Sequence, residues 1–167
     1  VEGGRWRLDP DELARLAGGA RMIVLNLPHN PTGGTVSPSD FRAIVATARK
    51  EGAVLLVDEV YRELELGETP RLPAACEVYE KGVSLGVFSK NAGLAGLRVG
   101  WLASRDRELL DAVAAFKDYN SICSSGPSEV LALVAARQYE LLASRSRGLC
   151  GRNLAAFETF ASRHPDF

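Results

Sequence analysis

Three apolar runs in this chain each hand over to a polar side chain that could do chemistry. MIVLNL is followed by Asn30, AVLLV by Asp58 and VSLGVF by Lys90, and an arginine, Arg98, stands eight residues after the lysine. Short apolar runs rich in β-branched residues read as buried strands. Polar groups at the carboxyl ends of strands stand where open α/β sheets bind ligands. An amide, a carboxylate, an amine and a guanidinium converging there do not make a metal site, because no histidine or second acid is spaced to complete one. A lysine at such a place is a nucleophile toward carbonyls when desolvation or nearby positive charge lowers its pKa, and it can form a Schiff base.

The elements that must position these groups follow from local signals. Asp9, Pro10 and Glu12 supply a cap, a first-position proline and a capping-box acid, which predicts a short helix over 9–16. A strand over 22–27 ends in PHNPTGGTV, whose two prolines and two glycines exclude regular structure. Ser37 caps the next helix, with Pro38 and Asp40 in its first turn; Phe41, Ile44, Val45 and Ala48 form its apolar face and Gly52 stops it. A strand over 53–57 runs directly into Asp58 and Glu59, and Glu59 reads as structural. Further strands are predicted over 83–88 and 98–103, with Gly93 and Gly96 easing the turn between them. Helices are predicted over 106–119, 127–142 and 144–160. This alternation implies α/β layers around a largely parallel sheet. Trp101 is expected in the core, and His29 and His164 in loops.

Composition narrows the function classes. A chain of 167 residues, 46% hydrophobic and 25% charged, suits one globular domain with a sizeable core. A net charge of −1 argues against a nucleic-acid binder, and RSRGLCGR and ARKEG read as solvated helix faces. No stretch approaches the roughly 18 apolar residues of a membrane span, and VEGGRWRLDP has neither the basic start nor the apolar core of a signal peptide. Cys76, Cys123 and Cys150 show no metal spacing and read as reduced, structural thiols of a cytoplasmic protein. A start without methionine and the ending ASRHPDF suggest a piece of a longer protein.

Taken singly, each candidate has a plain reading: Lys90 as a solvated loop residue, Asp58 as a cap or turn former, Tyr61 as a packed aromatic, Asn30 as a turn residue, Arg98 as a snorkelling strand end. Together and in order, HNPTG, DEVY and SKNAGLAGLRVGW resemble the class I/II aminotransferase family, the fold-type I enzymes that use pyridoxal 5′-phosphate. That resemblance implies a three-layer α/β/α large domain with a mostly parallel sheet. It assigns Lys90 to the cofactor aldehyde, Asp58 to the pyridine nitrogen, Tyr61 and Asn30 to the phenolic oxygen, and Arg98 to the phosphate. Many members carry Ser or Thr three residues before the lysine as a phosphate ligand; here that position is Val87, and Ser89 is the substitute. The resemblance also implies amino-acid and 2-oxo-acid substrates, a homodimer, and a chain that is the incomplete middle of the large domain. Its final helix, about 144–160, would lead toward a missing small domain, and alone the chain would be inactive. The alternatives within the same architecture are a lyase, a decarboxylase, a cyclising enzyme of the capreomycidine synthase type, or a non-catalytic regulator.

Overall fold

The structure, a computed structural model, describes residues 6–164. Its centre is a four-stranded sheet in the order β1 (Met22–Asn26), β2 (Val54–Asp58), β3 (Gly82–Val87) and β4 (Gly100–Ser104). The first three strands are parallel and β4 is antiparallel to β3. Parallel neighbours need a crossover, and the first is α2 (Pro38–Glu51). Ser37 Oγ accepts the Asp40 N–H at 3.0 Å to start α2, and Gly52 ends it in the left-handed region at φ +65°. The cap at α1 (Pro10–Leu16) is likewise as expected, with the Asp9 carboxylate accepting from Asp11 and Glu12 N–H.

Strand alternation sends Ile23, Leu25, Leu55 and Val57 to one face, where they pack with Phe41, Ile44 and Ala48 of α2. Tyr79, 1% exposed, closes this core, its hydroxyl reaching the carbonyls of Ala53 at 2.9 Å and Ala48 at 3.2 Å. A second, smaller core gathers Phe88 and Ala92 beyond β3 with Ala132 and Ala135 of α5 (Gly126–Arg137). The opposite face of β1 is open: Val24 is 62% exposed. So are Phe116 and Tyr119 of α4 (Arg107–Asn120), Val130 and Val134 of α5, and Phe157 of α6 (Tyr139–Arg163). Among the described residues no helix is long and apolar enough to cross a membrane.

Four local expectations need correction. A one-turn helix, α3 (Ala75–Val78), follows β2, too short to show a period but closed by the Glu77 carboxylate accepting the Ala74 N–H at 2.9 Å. Arg98 does not open β4; it sits at φ +56° at the end of a 3₁₀ turn, Ala95–Leu97. The last two helices meet at Gln138, not near 143, because Tyr139 packs edge-on against Phe88 and begins α6 there. Trp101 is 39% exposed rather than core, since its ring lies across Gly86 and against Phe88 with one side in solvent. Cys76 is half-buried and Cys123 and Cys150 are exposed, so the latter two contribute little packing; all three are free.

The tightest approach in the sheet is at Gly82, where a Cβ would stand 2.1 Å from the Ala75 carbonyl oxygen and 2.9 Å from that of Tyr79. Both are backbone atoms, so neither can rotate away. Gly82→Ala is therefore expected to destabilise the fold by about 1–3 kcal/mol, the usual range for overpacking. Denaturant unfolding measures it, and an unchanged midpoint would contradict the packing described here.

Candidate active site

Asp58 is the last residue of β2, in register with Asn26 of β1 and Leu85 of β3. Register partners share a face, so Asn26, Asp58 and Leu85 point away from the helix-covered side while Val57 and Glu59 point into it. The segment after β2 is fixed from that buried side. Glu59, 8% exposed, accepts the Ala75 N–H at 2.9 Å and the Ser84 hydroxyl at 2.7 Å, and pairs with Arg62 at 3.6 Å. Arg62 in turn donates to the Leu72 carbonyl at 2.7 Å. Tyr61, between the two, is thereby held in a braced turn.

Lys90 lies on the turn that follows β3, and its Nζ stands 5.6 Å from the centroid of the Tyr61 ring. Among the described residues it has no hydrogen bond and no acidic partner. The other lysines are occupied differently: Lys81 Nζ donates to the Gly52 carbonyl and Lys117 Nζ to that of Ile122, each at 2.9 Å. Lys50 stands 4.0 Å from Glu51. Asp58 Oδ1 accepts the Val60 N–H at 3.2 Å, and Oδ2 takes no hydrogen bond among the described residues. A carboxylate oxygen, a phenol ring and an amine are thus left available at adjacent strand ends.

Asn30 sits in the exposed loop after β1, its N–H donating to Asn26 Oδ1 at 2.7 Å. Asn26 Nδ2 donates to the Asp58 carbonyl at 3.1 Å, so this one side chain ties the Asn30 loop to the end of β2. Asn30 and Tyr61 line a common cavity of about 540 Å³. A neighbouring cavity of about 520 Å³ is lined by Asp58, Asn26, His29 and Thr32. Ser89 is half-buried beside Lys90, and Val87 packs against Gly100. Arg98 is not drawn into the group: its guanidinium donates to the Ala95 carbonyl of its own turn at 3.1 Å and is otherwise exposed. Among the described residues no cluster of His, Cys, Asp or Glu could hold a metal ion.

Sequence reasoning overlooked Asn26, Arg62, Asn91 and Tyr139. Asn26 was findable as a polar residue ending an apolar strand; the others act through contacts between distant segments. Burial, with the Glu63 charge adding to it, pushes the Tyr139 hydroxyl above the ordinary tyrosine range.

An open, mostly parallel α/β sheet with polar groups at its carboxyl ends defines the class of protein. The family model described as "Aminotransferase class I and II" matches residues 3–149, and the chain belongs to that family. It is 33% identical over 135 residues to capreomycidine synthase of Streptomyces vinaceus, covering 80% of this chain and 34% of that protein. It is 32% identical over 162 residues to a probable N-succinyldiaminopimelate aminotransferase of Mycobacterium tuberculosis, covering 90% and 41% respectively. A solved pyridoxal-phosphate-dependent aminotransferase from Streptococcus suis superposes with a TM-score of 0.88 at 31% identity, over 96% of this chain and 42% of that one. The chain therefore spans less than half the length of these relatives.

Because the Glu59 carboxylate is buried and accepts two hydrogen bonds, its removal leaves the Ala75 N–H unpaired and the Ser84 hydroxyl without its acceptor, while Arg62 keeps the Leu72 carbonyl. Glu59→Ala is expected to cost about 1–3 kcal/mol of stability, the cost of a buried donor left unpaired. Glu59→Gln should recover much of that, since its amide oxygen still accepts two hydrogen bonds. Thermal unfolding of the pair separates the variants; equal losses would show that filling space, not accepting hydrogen bonds, is what Glu59 does.

Proposed function

We propose that the protein carrying this chain is a pyridoxal-phosphate-dependent aminotransferase, moving an amino group between an amino acid and a 2-oxo acid. The observation behind this reading is Lys90 Nζ over the Tyr61 ring with no competing partner, after β3, with Asp58 ending the adjacent strand β2. The residues fit the cofactor's donor and acceptor pattern. An unpaired amine can bind an aldehyde, a carboxylate oxygen free of hydrogen bonds can face a ring N–H, and an exposed guanidinium with one engaged nitrogen can still grip a phosphate bidentately.

Bound pyridoxal phosphate supplies an electron sink for the bond-breaking at the substrate's α-carbon. Lys90 would provide the amine that holds the cofactor, and its Nζ could take and return the substrate's α-proton. Asp58 would pair with the pyridine nitrogen and favour its protonated form, as a neighbouring carboxylate does. Tyr61 and Asn30 would hydrogen-bond the phenolic oxygen. Ser89, in the place of the usual ligand at Val87, and Arg98 would bind the phosphate. Glu59 and Asn26 act behind them, holding the ends of β2 and β1 in register.

The protein is further proposed to be a cytoplasmic homodimer. The exposed apolar residues of α4, α5 and α6 and the free thiols support this. The chain is the central part of a large domain in this reading, with α6 running toward a second domain. A second reading uses the same site for cyclisation of an amino acid, favoured by the likeness to capreomycidine synthase. The two differ in product: transamination yields a 2-oxo acid, cyclisation does not.

The test uses the protein expressed from its whole coding sequence, with amino-acid donors and 2-oxo-acid acceptors. Lys90→Ala is expected to lower turnover by about 10²–10⁴-fold, the worth of a positioned proton carrier. Asp58→Ala is expected to lower it by roughly 10²-fold or more while cofactor is still retained, as loss of about 3 kcal/mol of charge pairing would do. Either variant keeping most of the wild-type rate overturns its assignment.

A further inference from the structure

Lys90 is exposed, yet the residue after it is among the most buried polar groups of the chain. Asn91 is 2% exposed, and a buried carboxamide must have its donors and acceptor satisfied. Each of its bonds goes to a different part of the structure. Its Oδ1 accepts the Ala92 N–H at 2.8 Å, fixing the turn on which Lys90 stands. Its Nδ2 donates to the Arg62 carbonyl at 3.3 Å, one residue after Tyr61, and to the Tyr139 hydroxyl at the start of α6.

The Tyr61 side of this link is rigid in its own right. Arg62 N–H donates to the Glu59 carbonyl at 2.8 Å, its guanidinium is held by Leu72 and Glu59, and Glu59 N–H donates to Leu85 of β3 at 2.9 Å. The Lys90 turn is closed locally by Gly93 N–H to the Lys90 carbonyl at 3.1 Å and Leu94 N–H to that of Phe88 at 3.0 Å. Those bonds set the shape of the turn, whereas the bond to Arg62 sets its distance from Tyr61. Tyr139 reaches the same point from the helical side, its ring 6.3 Å from Phe88.

We propose that Asn91 is a positioning residue: its buried amide fixes Lys90 against Tyr61 and couples that placement to α6 through Tyr139. The inference rests on the proposed cofactor reading, and it adds that two residues touching no reactant set the site's geometry. The Tyr139 hydroxyl oxygen accepts from Asn91 Nδ2, and burial pushes that hydroxyl above the ordinary tyrosine range.

The experiment measures, in the protein expressed from its whole coding sequence, the dissociation constant for pyridoxal phosphate and the pH midpoint of the bound cofactor's absorbance change. Asn91→Ala and Asn91→Asp, which lose both donors, are expected to weaken binding about tenfold to a hundredfold, the scale set by a misplacement of about 1 Å, and to move the pH midpoint. Tyr139→Phe keeps the ring but not the hydroxyl, and should move both readouts in the same direction by less. Tyr79→Phe, which loses hydroxyl bonds to the Ala48 and Ala53 carbonyls at the opposite end of the sheet, is the control: it lowers the melting temperature and leaves both readouts unchanged. Wild-type binding and pH midpoint in the three site variants overturn the inference, whatever their melting temperatures. If Asn91→Ala fails to fold, Asn91→Asp and Tyr139→Phe decide by the same criterion. A wild-type protein that binds no pyridoxal phosphate contradicts the proposed function instead.

Discussion

The buried carboxylate of Glu59 is the constraint on which the site depends. Burying a carboxylate is costly unless each oxygen finds donors, and here the donors come from α3, β3 and the turn after β2. Meeting that requirement fixes the start of α3, the sheet position of Ser84 and the path of the chain through Tyr61 and Arg62. Ser84 extends it by accepting the Cys76 N–H at 3.2 Å. The adjacent acid has the opposite role because strand alternation turns it to the opposite face. Asp58 leaves its Oδ2 available for chemistry, while Glu59 spends its oxygens on structure.

Much of this arrangement was legible in the sequence, and for physical reasons. The caps at Asp9 and Ser37 and the stop at Gly52 are local chemistry, so the predicted α1 and α2 match the structure closely. The apolar runs before Asp58 and Lys90 are strands because their burial leaves no other period, and strand ends are where the polar residues were expected. The reading of Glu59 as structural agrees with its burial and its bonds to Ala75 and Ser84. What escaped was set by contacts across the chain. The break at Gln138 depends on Tyr139 meeting Phe88, and the exposure of Trp101 on Gly86 having no side chain. Arg98 read as a strand residue because its neighbours are apolar, yet the turn before it leaves it at positive φ. Asn91 looked like one residue of a motif; its meaning lies in Arg62 and Tyr139, far away in sequence.

The uncovered surfaces agree with a chain that spans only part of its relatives' length. The Asp58 face of β1 is open at Val24, and α4 buries none of its residues among the described part of the chain. Burying apolar area of this kind is worth about 25 cal/mol per Å². The polar ends of the strands open toward the same side as Val24, which places the candidate site where added layers would enclose it.

Lys81 and Lys117 are engaged by carbonyls and Lys50 stands near Glu51, whereas Lys90 Nζ has no such partner, which makes it the amine proposed to hold the cofactor aldehyde. Borohydride reduction of the protein loaded with pyridoxal phosphate, followed by peptide mapping of the fixed label, tests it most directly. A single label on Lys90 is the predicted result. Label on Lys50, Lys81 or Lys117 in its place, or none on this chain, would contradict it.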